Sequence, residues 1–279
     1  MNIWGRRQAS PLRTKNKYNH HVRATLAVAQ IKKMKIALLG YGKMGQTIEK
    51  IALQNGHEIV AKIDNENDWE RLKNEVEQAD IAIEFSTPKT AVKNIFRCFD
   101  LNVPIVVGTT GWNEQKDEIF AHCKQHQKTL FYASNFSIGV NLFFELNKQL
   151  AHMMKSYSDY KVSMEEIHHL QKLDKPSGTA ISLAEDLIAN YPSKTSWICN
   201  DKVGTDYKSA PAGVKITSIR EENVFGIHKI FYESNEDMIE IKHEAKSREG
   251  FAKGAIFAAE WLVGKTGIYT MTDFLNTNM

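Results

Sequence analysis

The 279-residue chain has no apolar run near the ~20 residues that a helix needs to cross a bilayer, which excludes a helical membrane span and points to a soluble, cytoplasmic protein. Cysteine is scarce. Cys98, Cys123 and Cys199 are odd in number, far apart and in no C-x-x-C or zinc-like spacing, so a disulfide framework is excluded and a reducing compartment fits. Six prolines and sixteen glycines are too few for a collagen-like or low-complexity chain. Acidic residues are absent from Met1 to Lys33, where Arg6, Arg7, Arg13, Lys15, Lys17, Arg23, Lys32 and Lys33 fall. Removing these eight charges from the net of +3 leaves −5 for the rest, so the basic character belongs to this leader. A transit peptide, a nucleic-acid arm and a disordered extension all fit such a composition. The extension is the preferred reading, with Met34 a candidate natural start, because a compact motif begins just after it. The one apolar stretch in the leader, Leu26 to Ala29, is too short for a secretory signal.

Hydrophobic residues make up 42% of the chain, enough for two ordinary domains each with its own core. From Lys35 the apolar runs alternate with amphipathic stretches. Strands are expected at Lys35 to Leu39, Glu58 to Ile63, Ile81 to Phe85, Pro104 to Val107 and Thr129 to Tyr132. Helices are expected between them at Lys43 to Gln54, Trp69 to Gln78, Lys89 to Asp100 and Glu114 to His126. This rhythm is that of a doubly wound parallel sheet with right-handed crossovers. Past Asn135 it changes: a helix from Val140 to Lys155, a strand from Lys161 to Ile167, a polar loop, and a helix beginning near Thr179. The β-branched runs Val214 to Ile219, Val224 to Tyr232 and Met238 to Ala245 then read as antiparallel strands, and a last helix spans Phe251 to Leu262. The expectation is an α/β protein: a Rossmann-type domain over 34–136, a second α+β domain with a mixed sheet over 137–246, and a segment 247–279 that returns to the first.

Gly40, Tyr41, Gly42, Lys43, Met44 and Gly45 form G-x-G-x-x-G between a strand and a helix, where backbone N–H groups can reach a pyrophosphate. Asp64 follows nineteen residues after Gly45, where a carboxylate accepts hydrogen bonds from an adenosine ribose. Phe85 to Pro88 and Gly108 to Gly111 close the third and fourth strands on the same crevice. The segment Glu165 to Ala180 gathers His168, His169 and Lys172 within five residues, groups suited to proton transfer or anion binding. Pro176, Ser177, Gly178 and Thr179 open the next helix with hydroxyls and N–H groups suited to a carboxylate or phosphate. Paired histidines can also ligate a metal, and a solvated loop before a capped helix is the blander alternative. No third ligand stands at metalloprotease spacing, and no metal is expected.

Four motifs together resemble the dihydrodipicolinate reductase family: E-x-H-H-x-x-K-x-D-x-P-S-G-T-A at Glu166 to Ala180, G-K-M-G at Gly42 to Gly45, G-T-T-G at Gly108 to Gly111, and S-N-F-S-x-G-V-N at Ser134 to Asn141. The resemblance runs from Lys35 to Asn276. It implies reduction of 4-hydroxy-tetrahydrodipicolinate, a cyclic dicarboxylate of diaminopimelate and lysine biosynthesis, by a nicotinamide cofactor. His168 would be the main proton donor and Lys172 the second acid; His169, Ser177, Gly178 and Thr179 would hold the substrate. Gly40 to Gly45, Asp64, Phe85, Gly108 to Thr110 and Ala133, Ser134, Asn135 and Phe136 would line the cofactor. A homotetramer built through the second sheet is implied, with no membrane or nucleic-acid partner.

The sequence departs from the family pattern in two places. The glycine loop is one residue shorter than in many members, and Asn65 stands where dual-cofactor members often carry an arginine. NADH is therefore the expected cofactor, with NADPH use through Lys43 or Lys62 left open. Another Rossmann-type dehydrogenase, or an NAD-sensing regulator using the basic leader, are the competing readings.

Overall fold

The computed structural model describes residues 33–200 and 213–277; of the basic leader only Lys33 lies within them. In the first half, β1 (Lys35–Leu39), α1 (Lys43–Gln54), β2 (Glu58–Ile63), α2 (Glu66–Glu77), β3 (Ile81–Glu84), α3 (Pro88–Asp100), β4 (Ile105–Val107), α4 (Lys116–Gln125) and β5 (Thr129–Tyr132) alternate strictly. Local signals set the boundaries. The Asn65 side chain accepts a hydrogen bond from Asp68 N and caps α2. Thr87 and Thr90 form a capping box at α3, with Pro88 at its first turn.

The strands are all parallel and ordered β11-β5-β4-β3-β1-β2, where β11 (Gly267–Tyr269) is a late arrival beside β5. The chain therefore reverses direction of growth at β1, and the crevice between the carboxyl ends of β1 and β3 is the switch point where such sheets take ligands. Both faces are covered. Trp69, Val76, Ile95, Phe99 and Ile119, from α2, α3 and α4, pack on one face. Ile48 and Ile51 of α1 pack on the other with Ala252, Ala255, Ala259 and Leu262 of a late helix, α7 (Glu249–Leu262). The small residues of α7 let it lie close to α1 and the sheet.

The second half holds α5 (Ile138–Met154), β6 (Lys161–His169), α6 (Gly178–Asn190), β7 (Ser196–Asn200), β8 (Gly213–Glu221), β9 (Ile227–Glu233) and β10 (Met238–Glu244), ordered β10-β9-β6-β8-β7. Helices α5 and α6 bury one face through Phe143, Ala151, Leu183 and Leu187 against Met164, Ile216, Ile230 and Tyr232. The alternating burial of β6, β8 and β9 leaves the opposite face half-buried. The expectation of three antiparallel strands here needs correction. Strand β8 runs parallel to β6 and does not pair with β9; of the three expected strands only β9 and β10 are antiparallel neighbours, and β6, itself antiparallel to β9, sits between β8 and β9. A β-branched run specifies a strand but not its partner. Strands β7 and β11 and the short α8 (Met271–Thr277) were not expected at all.

Asp186 on α6 lies 3.8 Å from Lys148 Nζ with 26% of its side chain exposed, and burial raises its carboxyl from the ordinary 3.8 to about 6. A carboxyl raised on folding favours the folded state below its unfolded pKa and loses that contribution as pH climbs through the folded value. Above pH 6 the charge is a cost of roughly 1 kcal/mol once partial exposure is allowed for. Asp186→Asn should therefore raise the melting temperature by about 2–4 °C at pH 7.5 and by only about a third as much at pH 4.5, as read by thermal scans at the two pH values.

Candidate active site

The glycine turn after β1 is set by close approach. Gly40 has φ +94°, and a Cβ on it would stand 2.3 Å from the Phe85 carbonyl oxygen; one on Gly108 would stand 2.2 Å from the Phe85 ring. Phe85 thus joins the ends of β1, β3 and β4, and its ring lies 5.6 Å from that of Phe136. Asp64, at the end of β2, accepts a hydrogen bond of 2.9 Å from Tyr41 N. That bond aligns the second-strand carboxylate with the turn. Lys62 is engaged by Glu49 at 3.2 Å, and its ammonium lies 4.9 Å from the centre of the Tyr41 ring, whose hydroxyl donates to the same Glu49. Among the described residues Lys43 is exposed and has no ionic partner. Thr109 Oγ1 accepts from Ser86 N at 2.9 Å, and a cavity of about 180 Å³ brings Thr109 and Thr110 together with Ala133 and Ser134. Met44 turns inward, packing on the core beneath α1. Gly42, the N-cap of α1, has open space where a Cβ would stand, and a helix start of this kind suits a dinucleotide pyrophosphate.

A second cavity, of about 510 Å³, is lined by His168, His169, Lys172, Thr179, His228 and His243. Asn135, from the segment after β5, borders this cavity and also a cleft of about 280 Å³ that includes Ala133 and Ser134. His168 and His169 end β6, and the turn that follows is closed by a hydrogen bond from Lys172 N to His169 O at 3.1 Å. His168 is 8% exposed, and its Nε2 lies 3.4 Å from His228 Nε2, so one of the two rings donates to the other. Burial, with the neighbouring His168, pushes the His228 imidazole well below its ordinary range and keeps it neutral at neutral pH. Burial lowers His243 as well. Lys172 Nζ stands 2.9 Å from Asp174, whose carboxyl is held below the usual range: burial raises it, but the Lys172 hydrogen bond and charge outweigh that. His169 and His243 each keep a buried Nδ1 without a partner among the described residues.

Beneath this cavity lies Glu166, fully buried on the same strand. It accepts from Ser177 N at 3.0 and 3.1 Å, from the Ser218 hydroxyl and from Arg220 at 3.4 Å. Burial alone would raise its carboxyl, yet the hydrogen bonds from His168, Ser177 and Ser218 hold it below the usual carboxylate range. Ser177 is placed differently from its expected neighbours. It is 2% exposed and outside the cavity lining, with its hydroxyl capping Ala180 N at 3.2 Å and lying 3.2 Å from His228 Nε2. Thr179 lines the cavity and Gly178, at the first turn of α6, has open space where a Cβ would stand. His228, His243, Glu166 and Arg220 are the site residues that the sequence reading passed over. For Glu166 a signal existed, since it stands two residues before His168 on one strand and so shares its face.

Glu166, His168 and His228 are also the described residues that could hold a metal ion, with ligand atoms all within 4.8 Å of one another. The carboxylate is already matched by a guanidinium and three further donors, so hydrogen bonding accounts for the convergence.

The chain matches the family models for the N-terminus of dihydrodipicolinate reductase over residues 34–136 and for its C-terminus over residues 139–275. It is 51% identical over 243 residues to a 4-hydroxy-tetrahydrodipicolinate reductase of Christiangramia forsetii, covering 87% of this chain and 98% of the relative. A protein of the same name from Rickettsia bellii is 37% identical, with 84% and 90% covered. Among solved structures, a dipicolinate-bound dihydrodipicolinate reductase from Paenisporosarcina sp. TG-14 superposes with a TM-score of 0.67 at 22% identity, covering 85% of this chain and 97% of the other, and so shares the fold. With both halves of its described length matched by the two models, the chain belongs to the dihydrodipicolinate reductase family.

Proposed function

We infer that this protein reduces 4-hydroxy-tetrahydrodipicolinate to tetrahydrodipicolinate in diaminopimelate and lysine biosynthesis, with NADH as its preferred cofactor. One observation carries the reading: His168 and Lys172 share a cavity bordered by Asn135, and Asn135 also lines the cleft with Ala133 and Ser134, along which the dinucleotide would lie. Bound nicotinamide supplies the hydride. The chain's own residues orient the ring and protonate it. His168 is the main proton donor, set in hydrogen-bond reach of the neutral His228, and Lys172 the second acid. His169, Thr179 and the N–H groups at the start of α6, from Gly178 on, hold the substrate carboxylates. Ser177 shapes that helix start from behind the cavity wall. The half-buried outer face of the second sheet, with Ile219, Ile227 and Phe231, supports assembly into a homotetramer. Residues 34–136 with 247–279 act as the dinucleotide domain, and 137–246 as the substrate and oligomerisation domain.

NADPH differs from NADH by a phosphate on the ribose that Asp64 should meet. At an effective dielectric near 20 and about 4 Å, one like-charge contact costs on the order of 4 kcal/mol before screening and relaxation. Lys62 is already committed to Glu49 and offsets little of this. The wild type should show the higher kcat/KM with NADH when the two cofactors are compared at equal concentration. Asp64→Ser with Asn65→Arg should narrow or reverse the ratio. Because Asn65 caps α2, the double variant should also lose about 1 kcal/mol of stability, which makes the ratio of the two cofactors the proper readout. A wild type that prefers NADPH would show that Asp64 is not the ribose ligand or that Lys43 holds the phosphate.

A further inference from the structure

Arg220 stands on β8 directly across from His168 on β6, as Ser218 stands across from Glu166. Its side chain is 9% exposed and every donor it has is committed inside the protein. Nε donates to Lys172 O at 3.2 Å; one terminal nitrogen donates to Asp174 O at 2.5 Å; the other reaches Ile219 O at 2.8 Å and Ser218 Oγ at 3.1 Å. Both terminal nitrogens lie 3.4 Å from Glu166 Oε1. The other carboxylate oxygen, Oε2, lies 3.5 Å from His168 Nε2 and 3.9 Å from His228 Nε2. One buried pair therefore touches the ring of one proton-carrying group and the backbone of the loop that bears the other. Neither Glu166 nor Arg220 lines the cavity.

Stability is a poor explanation for such a pair. Desolvating two charges consumes most of what their attraction returns, and a well-packed apolar pair would hold the strands as well. Orientation is something the apolar pair could not supply. A guanidinium has five N–H groups in a fixed plane, so it can grip two loop carbonyls and a carboxylate at once, which a lysine ammonium cannot reproduce.

We propose that Glu166 and Arg220 act as one positioning device for both acids, Glu166 fixing the His168 imidazole and Arg220 fixing the Lys172 and Asp174 carbonyls and hence the Lys172 ammonium. The inference rests on the reading of His168 and Lys172 as the proton-carrying groups. It excludes Arg220 as a ligand of substrate carboxylates, since no donor is left over.

The test is steady-state turnover of the full chain carrying Arg220→Ala, with and without guanidinium ion far below denaturing concentration. Turnover should fall by roughly 10–100-fold while the substrate KM stays within about threefold, the pattern of misplaced acids with substrate binding intact. Added guanidinium should restore kcat by about tenfold in Arg220→Ala and leave the wild type and His168→Gln unchanged. Glu166→Gln, which keeps the volume, should show the same loss in kcat without rescue. A raised KM at normal kcat would make Arg220 a substrate ligand and overturn the proposal. So would a loss that tracks only the folded fraction and does not respond to guanidinium. If Arg220→Ala does not fold, Arg220→Lys carries the test: wild-type kcat overturns the proposal, and a tenfold or greater loss at unchanged KM supports it. Failure of the underlying reaction assignment looks different, since the wild type itself would then show no turnover.

Discussion

Replacing His168 by Gln, or Lys172 by Ala, is expected to cut kcat by roughly 10²-fold or more, the scale of general acid catalysis, while NADH binding stays close to wild type. The two residues come from different local contexts. His168 is the penultimate residue of a central strand, 8% exposed and in contact with His228 and Glu166, so its ring has little freedom. Lys172 sits in the following turn with 23% of its side chain exposed, paired with Asp174. Gln keeps hydrogen-bonding capacity at position 168 but cannot carry the proton, and Ala at 172 removes the ammonium with little change in the loop backbone. Neither residue is part of the turns that would hold the dinucleotide, which is why cofactor affinity is the control. Near-normal turnover in both variants, measured at saturating NADH, would remove these residues from the chemistry.

The second large effect is on stability. Helix propensity alone says that Gly254→Ala, in the interior of α7, should stabilise the protein by about 1 kcal/mol. The packing says the opposite. A Cβ on Gly254 would stand 1.8 Å from the Phe136 carbonyl oxygen and 2.8 Å from its carbonyl carbon, and that segment is backbone with nowhere to retreat. Overpacking of this kind costs about 1–3 kcal/mol or more, so the net change should lower the melting temperature by roughly 5 °C or more. Gly250, one turn earlier on the same helix, is the internal control: its Cβ would meet only Ser137 Oγ, at 3.8 Å. Gly250→Ala should be neutral or slightly stabilising in the same thermal scan. Equal effects at the two positions would show that α7 does not press on the Phe136 backbone. The pair matters for function because Phe136 holds the segment Ala133 to Phe136 against Phe85, where the proposed cofactor would lie.

The first half of the fold was legible because its signal is periodic: buried runs such as Ile36 to Leu39 alternate with one-sided helices such as α3, and the period changes at each boundary. The second half was less so. The run that became β8 announces a strand through Val214, Ile216 and Thr217, yet nothing in it says that β6 will lie between it and β9, because pairing is decided by packing on α5 and α6. Strands of three to five residues at a sheet edge, β11 and β7, carry too little pattern to be read. At the site, the local cluster His168, His169 and Lys172 was visible because its members are neighbours in sequence. Its supports were not: Arg220 is 54 residues from Glu166, and His228 is 60 from His168. Such partners meet only through the β6–β8 and β6–β9 registers. Ser177 shows the converse, a residue with the right chemistry in the right segment that the helix start turns toward Glu166 instead of the cavity.

The most direct measurement is turnover on substrate made in place. Pyruvate and aspartate semialdehyde are condensed by a synthase, this protein is added, and oxidation of NADH is followed against equal NADPH. The account predicts cofactor oxidation that requires both the synthase and this protein, faster with NADH. Oxidation no greater than with the synthase alone, with either cofactor, would contradict it.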